Sequence, residues 1–414
     1  MPDAFHYRDH VLYCEDVELS RLAAQTGTPC YVYSSAALRD NYLDYESALA
    51  GVPHRVCYAV KANSNLAVLR LLTGLGAGFD IVSGGELFRV LQAGGDAAGV
   101  VFAGVGKTRE EIEYALECGI HSFNCESEAE LALISSLASR LDQTASVAVR
   151  VNPDVDALTH PYISTGLREH KFGIDIREVE EVYERARALP NLSLDGVSCH
   201  IGSQLLDLSP LVEAVAKMVQ LAGRLRARGF AIAHLDLGGS LGVPYKPGEA
   251  RPDLAAYLAG VRQLVEGKNL TLVFEPGRWI VADAGALLAR VLYRKHNGSK
   301  EFIVVDAAMN DLIRPALYQA WHEIVPLRKT PFGTVTADVV GPVCETGDFL
   351  ARDREVANVM PGDTIAVLTA GAYGFVLSSN YNSRPRACEV IVDRSSWRVV
   401  RHRETREDLI RGEE

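Results

Sequence analysis

At six places along the first two thirds of this chain, a polar residue interrupts or directly follows a short apolar run. Lys61 follows RVCYAV, Asp80 lies within FDIV, and Arg150 sits near the end of SVAVRV. His200 follows SLDGVSC, Gly238-Gly239-Ser240 follow AHLDL, and Glu275 closes TLVFE. A lysine desolvated between apolar walls has a lowered pKa and can form a Schiff base, whereas a solvated one simply closes a strand. Leu237-Gly238-Gly239-Ser240-Leu241-Gly242 offers bare backbone N–H groups that suit a phosphate, although glycine clusters also make plain turns. Glu275-Pro276-Gly277-Arg278 sets a carboxylate and a guanidinium within four residues, as a ligand pair or as a local ion pair. His200 suits either a flat ring stacked on a ligand or a strand cap.

The elements that position these residues follow from periodicity. Strands are predicted near 55–60, 79–82, 99–102, 120–124, 146–151, 193–199, 233–237 and 271–275, with β-branched and aromatic residues in short runs. Between them, Glu126–Arg140, Ile176–Ala188 and Pro210–Arg228 carry apolar residues at helical spacing. Eight βα units in about 230 residues match a TIM-type (β/α)8 barrel, whose active sites lie at the C-terminal ends of the strands. A doubly wound open sheet is the alternative, weakened by the lack of G-x-G-x-x-G after the first strand.

After about residue 285 the pattern turns to strands: Ala286–Tyr293, Phe302–Val305, Thr334–Val340 and Thr364–Thr369. Short pieces near the start, Val11–Tyr13 and Cys30–Tyr33, are expected to join this C-terminal β domain, a sandwich or barrel. The expected division is therefore 1–35 (N-terminal strands), 36–284 (barrel) and 285–414 (β domain). The charge-dense tail after Trp397 reads as a solvated helix or frayed end.

The 414 residues carry 53 acids against 42 bases, a net charge of −11, which disfavours nucleic acid as a partner. No run approaches the roughly 20 apolar residues of a membrane helix, and the start lacks a secretion signal. Eight cysteines without a C-x-x-C pair suit a reducing cytoplasm and argue against a structural metal site.

A lysine for an aldehyde, an anion cradle and a carboxylate for a ring nitrogen are what pyridoxal 5'-phosphate (PLP) requires. A protonated ring is an electron sink that favours breaking a bond at a substrate's α-carbon. YAVKAN, FDIVSGGEL, HIGSQ, GGSLG, EPGR, GPVCETGD and GAYG then occur in this order across nearly the whole chain. In these motifs the sequence resembles the diaminopimelate decarboxylases, within the fold type III PLP decarboxylases that also include eukaryotic ornithine decarboxylase.

The resemblance implies a (β/α)8 barrel with a C-terminal β domain and a homodimer with sites at the subunit interface. It makes Lys61 the PLP lysine, His200 the residue stacked on the ring and Glu275 the partner of the ring nitrogen. Ser203, Gly238, Gly239, Gly277, Arg278 and Tyr373 would hold the phosphate or its surroundings, with Asp80 and Arg150 behind them. Cys344, reaching the partner's site together with Glu345, would protonate the carbanion after carbon dioxide leaves. Arg278, Arg314 and Tyr318 would grip a distal carboxylate and Glu345 a distal ammonium, with Tyr373 also contacting substrate, which points to meso-2,6-diaminopimelate as the amino-acid substrate and L-lysine as the product. Ser240 and Thr346 depart from residues common in the family without removing a reacting group. Pro153–Lys171, containing His160 and Tyr162, is expected to be a lid. Alternatives are a decarboxylase of a carboxylated polyamine, D-ornithine, D-lysine or a carrier-linked amino acid, a catalytically dead binding paralogue, and a racemase.

Overall fold

The computed structural model describes residues 4–155, 171–329 and 331–414. Two compact units are present. One comprises Tyr42–Val243 and Ala250–Trp279, the other Met1–Asn41, Pro244–Glu249 and Ile280–Glu414.

The first unit is built on eight parallel strands: His54–Ala59, Gly78–Ile81, Val100–Phe102, Ser122–Cys125, Ala145–Asn152, Leu192–Ser198, His234–Asp236 and Thr271–Phe274. Each pairs with the next, and the eighth pairs with the first through Leu272–His54 and Phe274–Val56. The sheet is therefore closed, which decides for the barrel over the doubly wound sheet. All eight strands fall within two residues of their expected positions, because runs buried on both faces in a parallel sheet are continuous and apolar. Cys57, Val101 and Val273 form a buried cluster contributed by three of these strands.

The helices begin just past the strand ends, and their caps set the loops at the C-terminal face. Asn65 accepts the Ala67 N–H, Ser83 accepts that of Glu86, and Ser127 accepts that of Glu130. Thr108 and Glu111 form a reciprocal capping box. Each satisfies backbone donors that a helix start leaves open.

In the second unit Cys30–Ser34 lies between Gly285–Asn297, antiparallel to it, and Cys388–Asp393, parallel to it. The full order is Phe349–Ala357, Thr334–Val340, Lys300–Val305, Gly285–Asn297, Cys30–Ser34, Cys388–Asp393 and Ser396–Arg401. Thr364–Val367 pairs with Gly285–Asn297 and with Ile324–Pro326.

Both early segments join the C-terminal β unit as expected, although by different routes, and one other expectation is corrected. Val11–Cys14 is the middle strand of a separate meander with Phe5–Arg8 and Val17–Glu18, bridged to the rest of the unit at Arg328. That meander and the helix Leu19–Thr26 pack Leu12, Leu19 and Leu22 against Val32, Leu288, Leu368 and Val390. The tail is not frayed from Trp397 onward, since Ser396–Arg401 is a strand whose Val399 pairs with Val390; a short capped helix, Arg406–Leu409, follows.

Most of the expected lid, residues 156–170 with His160 and Tyr162, lies outside the described residues. Among the described residues no helix is long and apolar enough to cross a membrane, and no cluster of three or more metal-ligating side chains occurs.

Candidate active site

Lys61 stands in a 3-10 turn, Val60–Ala62, immediately after the first strand. Its Nζ donates to Asp80 Oδ2 at 2.5 Å, and Asp80 is fully buried in the second strand. The other oxygen, Oδ1, is buried without a hydrogen-bond partner among the described residues. Burial pushes the Asp80 carboxyl above its usual range, while Lys61 pulls it back.

Glu275 follows the eighth strand, and its backbone N–H donates to Gly238 O at 2.9 Å. Its carboxyl is pushed well above the ordinary carboxylate range, first by burial and then by Asp236 and Asp80; Lys61 acts in the opposite sense. Asn124 Nδ2 donates to Asp236 Oδ2 at 2.8 Å and to Glu275 Oε1 at 3.1 Å. Glu86, in the helix after the second strand, is raised to about 7 by desolvation.

The glycine loop lies against His200. Gly239 N–H donates to His200 Nδ1 at 3.4 Å, and Ser240 Oγ stands at the same distance from that nitrogen. Desolvation, with Arg150 and Lys61 nearby, holds the imidazole pKa well below its usual value. The ring is therefore neutral near pH 7, as its acceptor role at Nδ1 requires. A Cβ at Gly239 would lie 1.7 Å from Glu275 O, so this position admits no side chain. Arg278 Nη2 donates to Ser203 Oγ at 3.1 Å, and Gly277 rests against Ala59 and Ala62 just before Lys61 and just after it.

Arg150, on the fifth strand, is held by a carboxylate from the loop after the fourth. Its Nη1 donates to Glu126 Oε1 at 2.8 Å, Glu126 Oε2 accepts the Gly173 N–H, and the guanidinium covers the Phe172 ring at 4.7 Å.

The barrel thus brings together Lys61, Asp80, His200, Ser203, Gly238, Gly239, Glu275, Gly277 and Arg278. Sequence reasoning missed Asn124, Asp236 and Glu126. Each is a polar residue inside or closing an apolar strand, the same signal that pointed to Asp80.

The remaining expected residues belong to the second unit. Arg314 is buried at the start of the helix Arg314–Tyr318, not exposed in a surface ion pair. His322 Nδ1 donates to Leu368 O at 2.9 Å, which leaves Nε2 to accept from Arg314 Nη1 at 2.9 Å. The guanidinium also lies 4.6 Å over the Tyr245 ring. Tyr318 ends that helix, half-buried.

Cys344 and Glu345 are exposed on a turn that buried Asp348 organises by accepting the Val343 and Met309 N–H groups, both at 2.7 Å. The Cys344 N–H donates to Asn382 Oδ1 at 2.8 Å. Gly341 precedes this turn because a Cβ there would meet Asp348 Oδ2 at 2.5 Å and Ala308 Cα at 2.6 Å. Tyr373 is half-buried with φ +54°.

The barrel site fits PLP. Asp80, Asp236 and Glu275 crowd three carboxyls near one lysine, and two of the three are raised in pKa despite it. A protonated ring nitrogen would supply a second cation to this cluster, and a buried carboxyl beside it would keep it protonated. Lys61 has an amine for the aldehyde, while Arg278, Ser203 and the glycine loop offer donors for a phosphate. The fold and site define a barrel-type PLP enzyme.

Comparison with known proteins agrees. The family model described as "Pyridoxal-dependent decarboxylase, pyridoxal binding domain" matches residues 35–282. Diaminopimelate decarboxylase of Pseudomonas aeruginosa is 57% identical over 99% of this chain and 99% of its own. That of Neisseria meningitidis serogroup A is 52% identical, covering 97% of this chain and 98% of its own. Among solved structures, diaminopimelate decarboxylase from M. jannaschii in co-complex with L-lysine has a TM-score of 0.94 at 38% identity, covering 100% of this chain and 98% of that one. The chain belongs to the diaminopimelate decarboxylases, within the pyridoxal-dependent decarboxylase family. It is a PLP-dependent carboxy-lyase.

Proposed function

We propose that this chain decarboxylates meso-2,6-diaminopimelate to L-lysine and carbon dioxide, the last step of lysine biosynthesis, as a cytoplasmic homodimer. What carries the reading is that Lys61, Asp80 and Glu275 meet at one barrel mouth in a chain 57% identical to a diaminopimelate decarboxylase. When bound, PLP supplies the electron sink that accepts the pair left by carbon dioxide.

The chain's own residues do the rest. Asp80 holds the Lys61 amine in place, and Glu275 keeps the ring nitrogen protonated. Neutral His200 offers a flat face without adding charge. Ser203, Gly238, Gly239, Gly277, Arg278 and Tyr373 hold the phosphate and its surroundings, and Arg150 steadies the mouth through Glu126. Arg278, Arg314 and Tyr318 bind the distal carboxylate, for which a buried, preoriented guanidinium is well suited. Cys344 Sγ carries the proton to the α-carbon, and Glu345 takes the distal ammonium. Both are contributed to the partner's site, which accords with their exposure in the single chain. The barrel domain, 36–284, carries the cofactor.

Two measurements test this. Borohydride reduction of the holoenzyme followed by peptide mapping should place the fixed cofactor on Lys61, and Lys61→Ala should lose both the label and turnover. Carbon dioxide release across a panel of amino acids should rank diaminopimelate first. A better substrate by orders of magnitude would reject the substrate assignment and leave the cofactor chemistry standing.

A further inference from the structure

Asn124 lies on the fourth barrel strand with 3% of its surface exposed. Its single amide donates to two carboxyls, Asp236 on the seventh strand and Glu275 after the eighth. Asp236 Oδ1 accepts the Gly238 N–H at 2.9 Å, and Gly238 O accepts the Glu275 N–H at 2.9 Å. These bonds form a closed circuit across the ends of three strands.

The residue type is informative. Two carboxyls this close repel, and a buried site gives them little solvent to share. An amide has two donors and no charge, so it can hold both carboxyls without neutralising either. A lysine here would compete with the ring nitrogen as the cation, and an aspartate would add a third anion. Packing alone does not explain the choice, because Asn124 Oδ1 is buried without a partner among the described residues, which is destabilising.

We propose that Asn124 is a positioning residue that presets the Glu275 carboxyl, with Asp236 as its second anchor, for contact with the cofactor's ring nitrogen. This rests on the reading of Glu275 as the partner of that nitrogen. Without the tether, Glu275 must be ordered during binding, and affinity falls by the cost of that ordering. The effect is specific to the nitrogen: a cofactor lacking it gains nothing from an oriented Glu275.

The test compares dissociation constants, by fluorescence titration of the full chain, for PLP and for 1-deaza-pyridoxal phosphate. The analogue has CH in place of the ring nitrogen and keeps the aldehyde and phosphate. Asn124→Leu should weaken PLP on the order of tenfold, the range expected for losing one hydrogen bond to a charged group, and the analogue by less than about twofold. Asn124→Ala removes the amide without adding a charge or bulk and should show the same selective loss, so it carries the test if the leucine variant does not fold. An equal loss for both cofactors would reduce Asn124 to a packing role and overturn the proposal, as would no loss for either. Glu275→Gln, measured alongside, separates the two layers. If it loses no discrimination between the cofactors, the reading of Glu275 itself fails; if it does and the Asn124 variants do not, only the positioning role fails.

Discussion

Adding one methyl group at Gly239 tests how closely the glycine loop is built onto the carboxylate that follows it. The new Cβ would lie 1.7 Å from Glu275 O, 2.4 Å from its carbonyl carbon and 3.0 Å from Pro276 Cα, all backbone atoms. Restoring even a 3.0 Å contact to the oxygen requires the loop and the strand end to part by at least about 1.3 Å. No flexible side chain is available to yield, so the cost is at or above the upper end of the roughly 1–3 kcal/mol typical of overpacking. The displacement also moves Glu275 and Gly238, which share the Glu275 N–H to Gly238 O bond. A misplacement of about 1 Å at a reacting centre is worth on the order of 100-fold in rate. Gly239→Ala is therefore expected to lower the urea midpoint, weaken PLP binding and reduce kcat/KM at least 100-fold. Gly223→Ala is the control. Gly223 lies inside the helix Ser209–Ala227 with nothing within 4 Å of an added Cβ, so this change should stabilise by about 0.5–1 kcal/mol. If Gly239→Ala kept kcat/KM within threefold of the parent, the close approach of loop and strand would have no bearing on the site.

Other expected outcomes are more local. Cys344→Ala should retain PLP by absorbance yet slow lysine formation by ~10²–10⁴, the usual value of a placed proton donor; full activity would remove its role. Arg314→Ala should raise KM for diaminopimelate tenfold or more while leaving PLP affinity unchanged, and an unchanged kcat/KM would show the distal carboxylate is held elsewhere. His121 and His234, at the N-terminal ends of the fourth and seventh barrel strands, have ring centroids 5.7 Å apart. Burial, then Arg55 and His234, lowers the His121 pKa from 6.5 to about 4. Since the folded form binds its proton less readily than the unfolded chain, stability is full above about pH 6.5 and declines as pH falls towards 4. His121→Gln should reduce the loss of urea midpoint between pH 7 and pH 5; parallel losses in parent and variant would refute the assignment.

The barrel strands were legible because closed parallel sheets bury both strand faces, leaving unbroken apolar runs between amphipathic helices. The second unit was less so. Phe349–Ala357 reads FLARDREVA, and its four consecutive charged residues, three of them exposed, break the alternation so that the segment mimics a loop. Ser396–Arg401 hid for the same reason, its arginines standing beside buried-strand partners. At the site, residues just beyond a strand were easier to find than those within one. Asn124 and Asp236 differ from their neighbours by one polar side chain each, and sequence alone does not tell which strand ends will meet. Arg314 illustrates the same limit: its partners His322 and Tyr245 come from separate segments that only tertiary packing brings together.

Cys30–Ser34 pairs on one flank with Gly285–Asn297 and on the other with Cys388–Asp393, so it waits for partners translated long after it. Its ladders have high contact order, whereas every strand of the barrel has been translated by Phe274. During synthesis the barrel can thus mature while an apolar pentapeptide, Cys30-Tyr31-Val32-Tyr33-Ser34, still has both hydrogen-bonding edges open. Removing Cys388–Asp393 would leave one edge of that early strand open as an aggregation template.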